Sequence, residues 1–334
     1  MKKALIISTI IFVIAAVLFG ISVAATGVNE NGFGISISGI PLIQSFSESL
    51  QVVKEGETKT YTFENTVNNL EIDVMSAEMD IKTADVDKIT VKYTTTTGGY
   101  AFSANVMGET LYIEEESGFL FNLIFFGLND KDSRLEVVLP EKEYNNVEFD
   151  TASGGGIVDG IICKNLTCNT ASGYINYNVF ADRIEVNSAS GGSTVTNCTE
   201  NKAGTIVLSS VSGEHRISGF KADKYEFNST SGTIHADRVS GRVNANIISG
   251  EIYIDYAEWT DTLDLDAVSG SFDITLPEDA GVKIDLSAVS GDVEVRLGED
   301  EVKVSGDSET GRIGGDNVQN VNIDLVSGDV YIHN

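Results

Sequence analysis

A Ser-Gly step returns along most of this chain and commits it to an architecture built from repeats. It stands at Ser153-Gly154, Ser172-Gly173, Ser190-Gly191, Ser212-Gly213, Ser231-Gly232, Ser249-Gly250, Ser269-Gly270, Ser290-Gly291 and Ser327-Gly328. Successive serines are 19, 18, 22, 19, 18, 20, 21 and 37 residues apart. The last interval is about two periods, with Thr310-Gly311 near its middle. Aligned on the serine, the sequence falls into columns. Apolar residues stand six and four before it, as in Ile206 and Leu208 or Leu263 and Leu265. Between them and the serine runs a polar column that includes Asp150, Asn169, Asn187, Asn228, Asn246, Asp266 and Asp324. A further apolar column follows five after the serine, with Val195, Ile217, Ile254, Ile274, Val295 and Ile332. Alternation with period two marks strands with one buried face. Each repeat therefore reads as strand, corner and strand, and a fixed period of about 20 residues reads as a solenoid.

The parity of the apolar positions changes across the corner, so the backbone must bend there. Glycine is expected to supply a positive φ, and serine to bond locally to turn backbone. Nine serines in equivalent places are structural corners and not nucleophiles. The pattern extends upstream of Ser153. Leu70, Ile72 and Val74 precede Ser76 in register, although Ala77 replaces the glycine. Ile89 to Tyr93 and Leu111 to Ile113 read as further strands, ending at Thr97-Gly98 and Ser117-Gly118. Residues 135–149 (LEVVLPEKEYNNVEF) match residues 272–286 (FDITLPEDAGVKIDL) with one extra residue. That match carries the repeat through 70–334 with no need of a second domain.

Ahead of the repeats, two lysines precede an apolar run from Ala4 to Ala25. This places the N-terminus in the cytoplasm and the rest outside. Residues 1–26 read as an uncleaved transmembrane anchor; the alternative is a signal peptide cut near Ser22-Val23-Ala24, leaving a secreted protein. Residues 27–69 read as a linker and cap.

One stretch breaks the alternation. Residues 119–128 contain Phe119, Leu120, Phe121, Leu123, Ile124, Phe125, Phe126 and Leu128. In water such a run would associate, so it needs a cover. It is either a cap folded on the repeats or an interaction surface for a membrane or partner protein.

The charge excludes one class of partner. With 50 acidic and 22 basic residues the net charge is -28, so nucleic acid is not a ligand. The acidic residues lack the spaced ligand loops of calcium-binding repeats, and no metal or other cofactor is called for. Cys163, Cys168 and Cys198 show no metal spacing, and Cys163 and Cys198 lie nearly two periods apart, so a disulfide between them would require distortion. His215 falls in an apolar column, where a stacked Ser193 is its expected partner. No nucleophile elbow, P-loop or dinucleotide fingerprint is present. Arg183, Arg216, Arg238, Arg242 and Arg296 occupy different phases of the repeat, unlike the clustered charges of polysaccharide-cleaving β-helices.

The unit Ala267-Val268-Ser269-Gly270-Ser271-Phe272-Asp273-Ile274 returns at Ala288 to Val295 and at Val326 to Ile332. It resembles the bacterial "putative adhesin" family of β-strand-repeat proteins, a domain of unknown function, over Leu70 to the end of the sequence. The resemblance implies a β-solenoid at the cell surface, often behind an N-terminal membrane segment, and the repeat is read as an all-β, right-handed parallel β-solenoid. It supplies no catalytic residue. The expectation is a non-enzymatic, extracytoplasmic binding or scaffold module of the cell envelope. Its partners would be the membrane through the N-terminal segment and an envelope glycan or another membrane protein. The alternatives are a regulatory partner of a membrane sensor or transporter and a polysaccharide-active enzyme.

Overall fold

The computed structural model describes residues 51–54, 56–95, 100–117, 133–305 and 308–334. Several sequence expectations lie outside these ranges: the N-terminal apolar run, residues 27–50 of the linker, the strand end at Thr97-Gly98, Gly118 and the 119–128 segment. Among the described residues no helix is long and apolar enough to cross a membrane. The described chain is all-β and divides into two compact units, one ending at Val179 and one spanning Phe180–Asn334.

The first unit contains β1 (Gln51–Val53), β2 (Thr58–Glu64), β3 (Asn69–Val74), β4 (Glu78–Ala84), β5 (Lys88–Thr95), β6 (Tyr100–Met107) and β7 (Thr110–Ser117). It continues with β8 (Ser133–Pro140), β9 (Glu143–Thr151) and β10 (Gly155–Thr170), and the division falls within β11 (Tyr174–Ser188). The second unit holds β12 (Gly192–Asn197), β13 (Lys202–Ser210), β14 (Glu214–Ser218), β15 (Lys221–Ser229), β16 (Thr233–Ile247), β17 (Glu251–Glu258) and β18 (Leu263–Ala267). Its remaining strands are β19 (Ser271–Thr275), β20 (Ala280–Ala288), β21 (Asp292–Leu297), β22 (Asp300–Ser305), β23 (Ser308–Gly314), β24 (Asn317–Leu325) and β25 (Asp329–His333).

Coils stack through parallel pairing that keeps the sequence columns in register. Ile206 lies opposite Tyr225 and Leu208 opposite Phe227, then Tyr225 opposite Val243 and Phe227 opposite Ala245. All of these are buried, as are Ile217, Ile234, Ile254, Phe272, Ile274 and Ile332 beyond the corner. Each such side chain contributes about 1.5–3 kcal/mol on burial, but one coil alone cannot offset the entropy of ordering its backbone. Stability is therefore shared between coils.

The corners differ from expectation in two ways. Positive φ occurs at Gly291 and Gly328 but not at Gly154, Gly173, Gly191, Gly213, Gly232, Gly250 or Gly270. Glycine is required there because coils approach backbone to backbone. A Cβ on Gly173 would lie 1.6 Å from the Gly154 carbonyl oxygen, and one on Gly250 would lie 2.1 Å from that of Gly232. The serine hydroxyls, in turn, bond across coils and not within their own turn. Ser172 Oγ donates to the Ala152 carbonyl, Ser231 Oγ to Val211 and Ser249 Oγ to Thr230, at 3.0–3.1 Å.

Stacking also departs from sequence order. In the first unit β3 lies between β7 and β9, and β4 between β8 and β10, all parallel. In the second, β24 lies between β18 and β20, and β25 between β19 and β21. The chain thus skips a level at Pro140-Glu141-Lys142 and again at Leu276 to Asp279, and a distant segment fills the gap. The internal match noted in the sequence marks these two crossings. Both carry Leu-Pro-Glu, and proline, lacking an N–H, ends the ladder where the chain must leave it.

Antiparallel strands close the ends. In the first unit β5 pairs with β8, β2 with β5, and β6 with β7. In the second, β22 pairs with β21 and β23 with β20. Thr310-Gly311 is therefore the middle of a covering strand and not a corner, and Ile89 to Tyr93 likewise belongs to the covering strand β5. The β22 edge carries Lys303, ion-paired to Glu294 at 3.2 Å and Glu301 at 2.9 Å, which discourages further strand addition.

The contact at Gly250 separates two reasons for glycine. Gly250→Ala should lower stability by more than about 2 kcal/mol, since a carbonyl cannot move away cheaply. Gly311→Ala, where no atom lies within 4 Å of the new methyl, should be neutral or stabilising by up to about 1 kcal/mol. Thermal denaturation of the two variants checks this, and equal losses would refute the close-packing account.

Candidate interaction faces

Strand alternation puts every second residue of each coil into solvent, so the candidate sites are rows running across strands. In the second unit one row runs Thr194, Arg216, His235, Tyr253, Asp273, Tyr331, Glu294 and Lys303, each opposite the next. His235 and Tyr253 stack at 4.7 Å, and Tyr331 stacks on His333 at 4.6 Å. The polar groups are largely paired already. Arg216 bonds Asp237 at 2.8 Å, Tyr253 donates to Glu251 at 2.8 Å, and His333 Nε2 contacts Asp273 at 3.0 Å. Such a row offers aromatic edges, carboxylates and cations at strand spacing, about 4.8 Å.

A second face lies on the strands before the corner in the first unit. Glu71 stands opposite Glu148, and Asp73 stands opposite both Asp150 and Glu114. Like charges on adjacent strands are unfavourable. Burial, helped by the Asp150 and Glu71 charges, pushes the Glu148 carboxyl up. Burial likewise raises Asp150, opposed by the 2.7 Å bond from Asn169. Among the described residues no cluster of three or more acidic, histidine or cysteine side chains has the geometry to hold a metal ion.

Two internal sites complete the chemistry. His215 is fully buried, with Nδ1 2.8 Å from Ser193 Oγ, the partner expected from the columns, and Nε2 2.9 Å from Ser188 Oγ. Ser188 Oγ in turn donates to the Gly191 carbonyl, so its lone pair receives the Nε2 proton and Nδ1 accepts from Ser193. Burial pushes the imidazole down to about 4. Both hydroxyls are enclosed, so this is a satisfied core group and not a nucleophile.

Glu115 is the other site, and the sequence reading missed it. Its carboxylate is buried and accepts from Ser76 N, Ala77 N, Tyr93 Oη and Ser133 Oγ, at 2.7–3.0 Å. It follows Glu114, which is opposite Asp73, and stands two before Ser117, in the column that holds Val74 and, opposite it, Thr151. Farther along, Thr151, Ser188, Ser210 and Ser229 bond the corner glycines from this column. The signal was present as a run of Ser and Thr in a buried column. Glu115 anchors the one corner where alanine replaces glycine.

Other expectations fall as follows. The apolar residues Phe119 to Leu128 lie outside the described residues, between β7 and β8 in sequence, where other coils have only a corner. No disulfide joins Cys163, Cys168 or Cys198, and burial pushes the Cys168 thiol well up. The arginines are less scattered than the sequence suggested: Arg183 and Arg242 share one column with Thr205 and Lys224.

A protein-family model described as Toastrack DUF4097 matches residues 67–333. No curated protein is similar enough in sequence to count as a relative. Among solved structures, a "putative lipid binding protein" from Parabacteroides distasonis is 18% identical with a TM-score of 0.47, covering 82% of this chain and 96% of its own. A "putative adhesin" from the same species is 12% identical with a TM-score of 0.49, covering 83% and 97%. One from Parabacteroides merdae is 13% identical with a TM-score of 0.48, covering 83% and 98%. At these values none bears on what this chain binds.

Two pH effects of opposite sign follow. His215 has a folded pKa below its ordinary 6.5, so its contribution is complete above pH 6.5 and disappears as the pH falls toward 4. The loss should reach about 3 kcal/mol, and His215→Ile should flatten the unfolding profile between those values. Glu148 has a raised pKa, so it costs nothing below its ordinary value of 4.5 and destabilises as the pH rises. Glu148→Gln should therefore raise Tm at pH 7 and leave it unchanged near pH 4. A variant that gained nothing at pH 7 would remove the like-charge argument.

Proposed function

The chain belongs to the Toastrack DUF4097 family, and on that premise we propose that it is a non-enzymatic, adhesin-like binding module of the cell envelope. It is carried outside the membrane by its N-terminal apolar segment on right-handed coils. The ligand is an envelope glycan. The observation that carries this reading is the row from Thr194 to Lys303, in which aromatic and charged side chains are pre-arranged on a stacked sheet by the His235–Tyr253 stack, the Lys303–Glu294 pair and bonds from Arg216 and Tyr253 to the flanking Asp237 and Glu251. Pre-arrangement lowers the ordering cost of binding. Aromatic side chains beside carboxylates suit sugar rings with their apolar faces and hydroxyls, and the acidity of the chain disfavours polyanions.

The full chain in detergent micelles should retain peptidoglycan fragments in a pull-down. The double variant Tyr253→Ser/Tyr331→Ser should lose at least about tenfold in affinity while unfolding at a similar temperature. Release of shortened glycan would instead establish an enzyme, and undiminished binding by the double variant would move the site elsewhere.

A further inference from the structure

The level skipped in the second unit creates an interface that need not be closed within one chain. The segment β24–β25 fills a slot walled by β18–β19 on one side and β20–β21 on the other. It reaches that slot by an awkward route. β23 lies antiparallel on one side of β20 and β24 lies parallel on the other, so the link between them straddles β20. Gly314 is opposite Gly281 and Asn317 opposite Ala280, leaving only Gly315 and Asp316 to cross.

The crossing is taut. Two strand spacings are about 9.6 Å, and three Cα–Cα steps from Gly314 to Asn317 reach at most about 10–11 Å. Gly314 takes a φ of +89°, and a Cβ on Gly281 would lie 2.3 Å from the Gly315 carbonyl oxygen. The corresponding crossing in the first unit is easier: β4 and β5 straddle β8 with Asp85, Val86 and Asp87 between them, one residue more. A short, tense hinge is the condition under which an element is exchanged between copies, because the hinge relaxes while every contact of the element is kept.

The contacts kept are extensive. Leu263, Leu265 and Ala267 face Val321, Ile323 and Leu325, which face Ile284, Leu286 and Ala288 on the other wall. Asn317 Nδ2 donates to the Trp259 carbonyl at 2.9 Å, and Leu276 N to that of His333 at 2.7 Å. An identical segment from another copy makes all of them.

We propose that two copies of this chain exchange β24–β25, each filling the other's slot, with Gly315-Asp316 straightening as the hinge. The partner is a second copy of the chain, and this inference is independent of the glycan reading.

The test uses full chains in detergent, all carrying Cys198→Ser. Asp264 and Asn322 face each other on β18 and β24, with Asn322 Nδ2 2.6 Å from Asp264 Oδ1. A chain with Asp264→Cys is mixed with one carrying Asn322→Cys, warmed to the onset of unfolding, cooled and oxidised. Exchange should yield a mixed disulfide dimer whose joined peptides are identified by mass spectrometry. Inserting Gly-Ser-Gly-Ser after Gly315 in both chains should reduce that dimer by about tenfold, since the tension is gone. Absence of the mixed dimer, or an equal yield with the lengthened hinge, overturns the proposal. A chain carrying both cysteines serves as the control: an internal bridge confirms the slot, and failure to form any bridge overturns the topology itself.

Discussion

Close approach of one backbone to the next at the Ser-Gly corner is the constraint on which the rest depends. With no Cβ at Gly232 or Gly250, the carbonyl of the neighbouring coil sits where a methyl group would be, and the next N–H reaches it. Thr233 N donates to Gly213 O at 3.0 Å, and Glu251 N to Gly232 O at 3.2 Å. The serine beside the glycine adds a side-chain bond to the neighbouring coil, as at Ser212, Ser231 and Ser249, and where a hydroxyl stands two residues earlier, as at Ser210 and Ser229, it holds the turn from inside. Strand register follows from the corner, and the outward rows follow from strand register. A change at one glycine therefore propagates to side chains in solvent several residues away.

Much of this was legible in the sequence. The apolar columns that pair in space, such as Tyr225 with Val243, are those that align on the serine. What was not legible was the order of stacking. Coils at Ser269, Ser290 and Ser327 carry nearly the same residues at every column, so nothing local distinguishes a neighbour in sequence from a neighbour in space. The reason for glycine was also misread, because the parity change suggested a strained φ where the cause is a carbonyl from another coil. The candidate faces were accessible in part: His235, Tyr253, Asp273 and Tyr331 all stand four after a corner serine. The column was passed over because it holds mixed chemistry and no motif.

The charges tell a consistent story. Most basic residues of the described surface are already engaged, as Lys221 is with Glu258 at 2.6 Å and Arg296 with Glu294 at 2.7 Å. Exposed pairs of this kind contribute little stability, about 0–1 kcal/mol each. Their effect is to fix side-chain directions. Where basic residues are missing, as beside Glu71, Glu148 and Asp150, the sheet carries its acidity at a cost, in keeping with the raised carboxyl of Glu148.

The skipped level has an evolutionary reading. Tandem arrays ordinarily drift in copy number, since a whole period can be duplicated or lost without disturbing its neighbours. The coils at Ser212, Ser231 and Ser249 stack in the order in which they are encoded, and are open to such change. Those at Ser269, Ser290 and Ser327 are not. Removing the one at Ser290 would deprive β24 of a wall, and duplicating it would leave a level with nothing to occupy it. Interleaving thus works as a length lock, confining indels to the encoded middle and preserving the last three periods as an indivisible block.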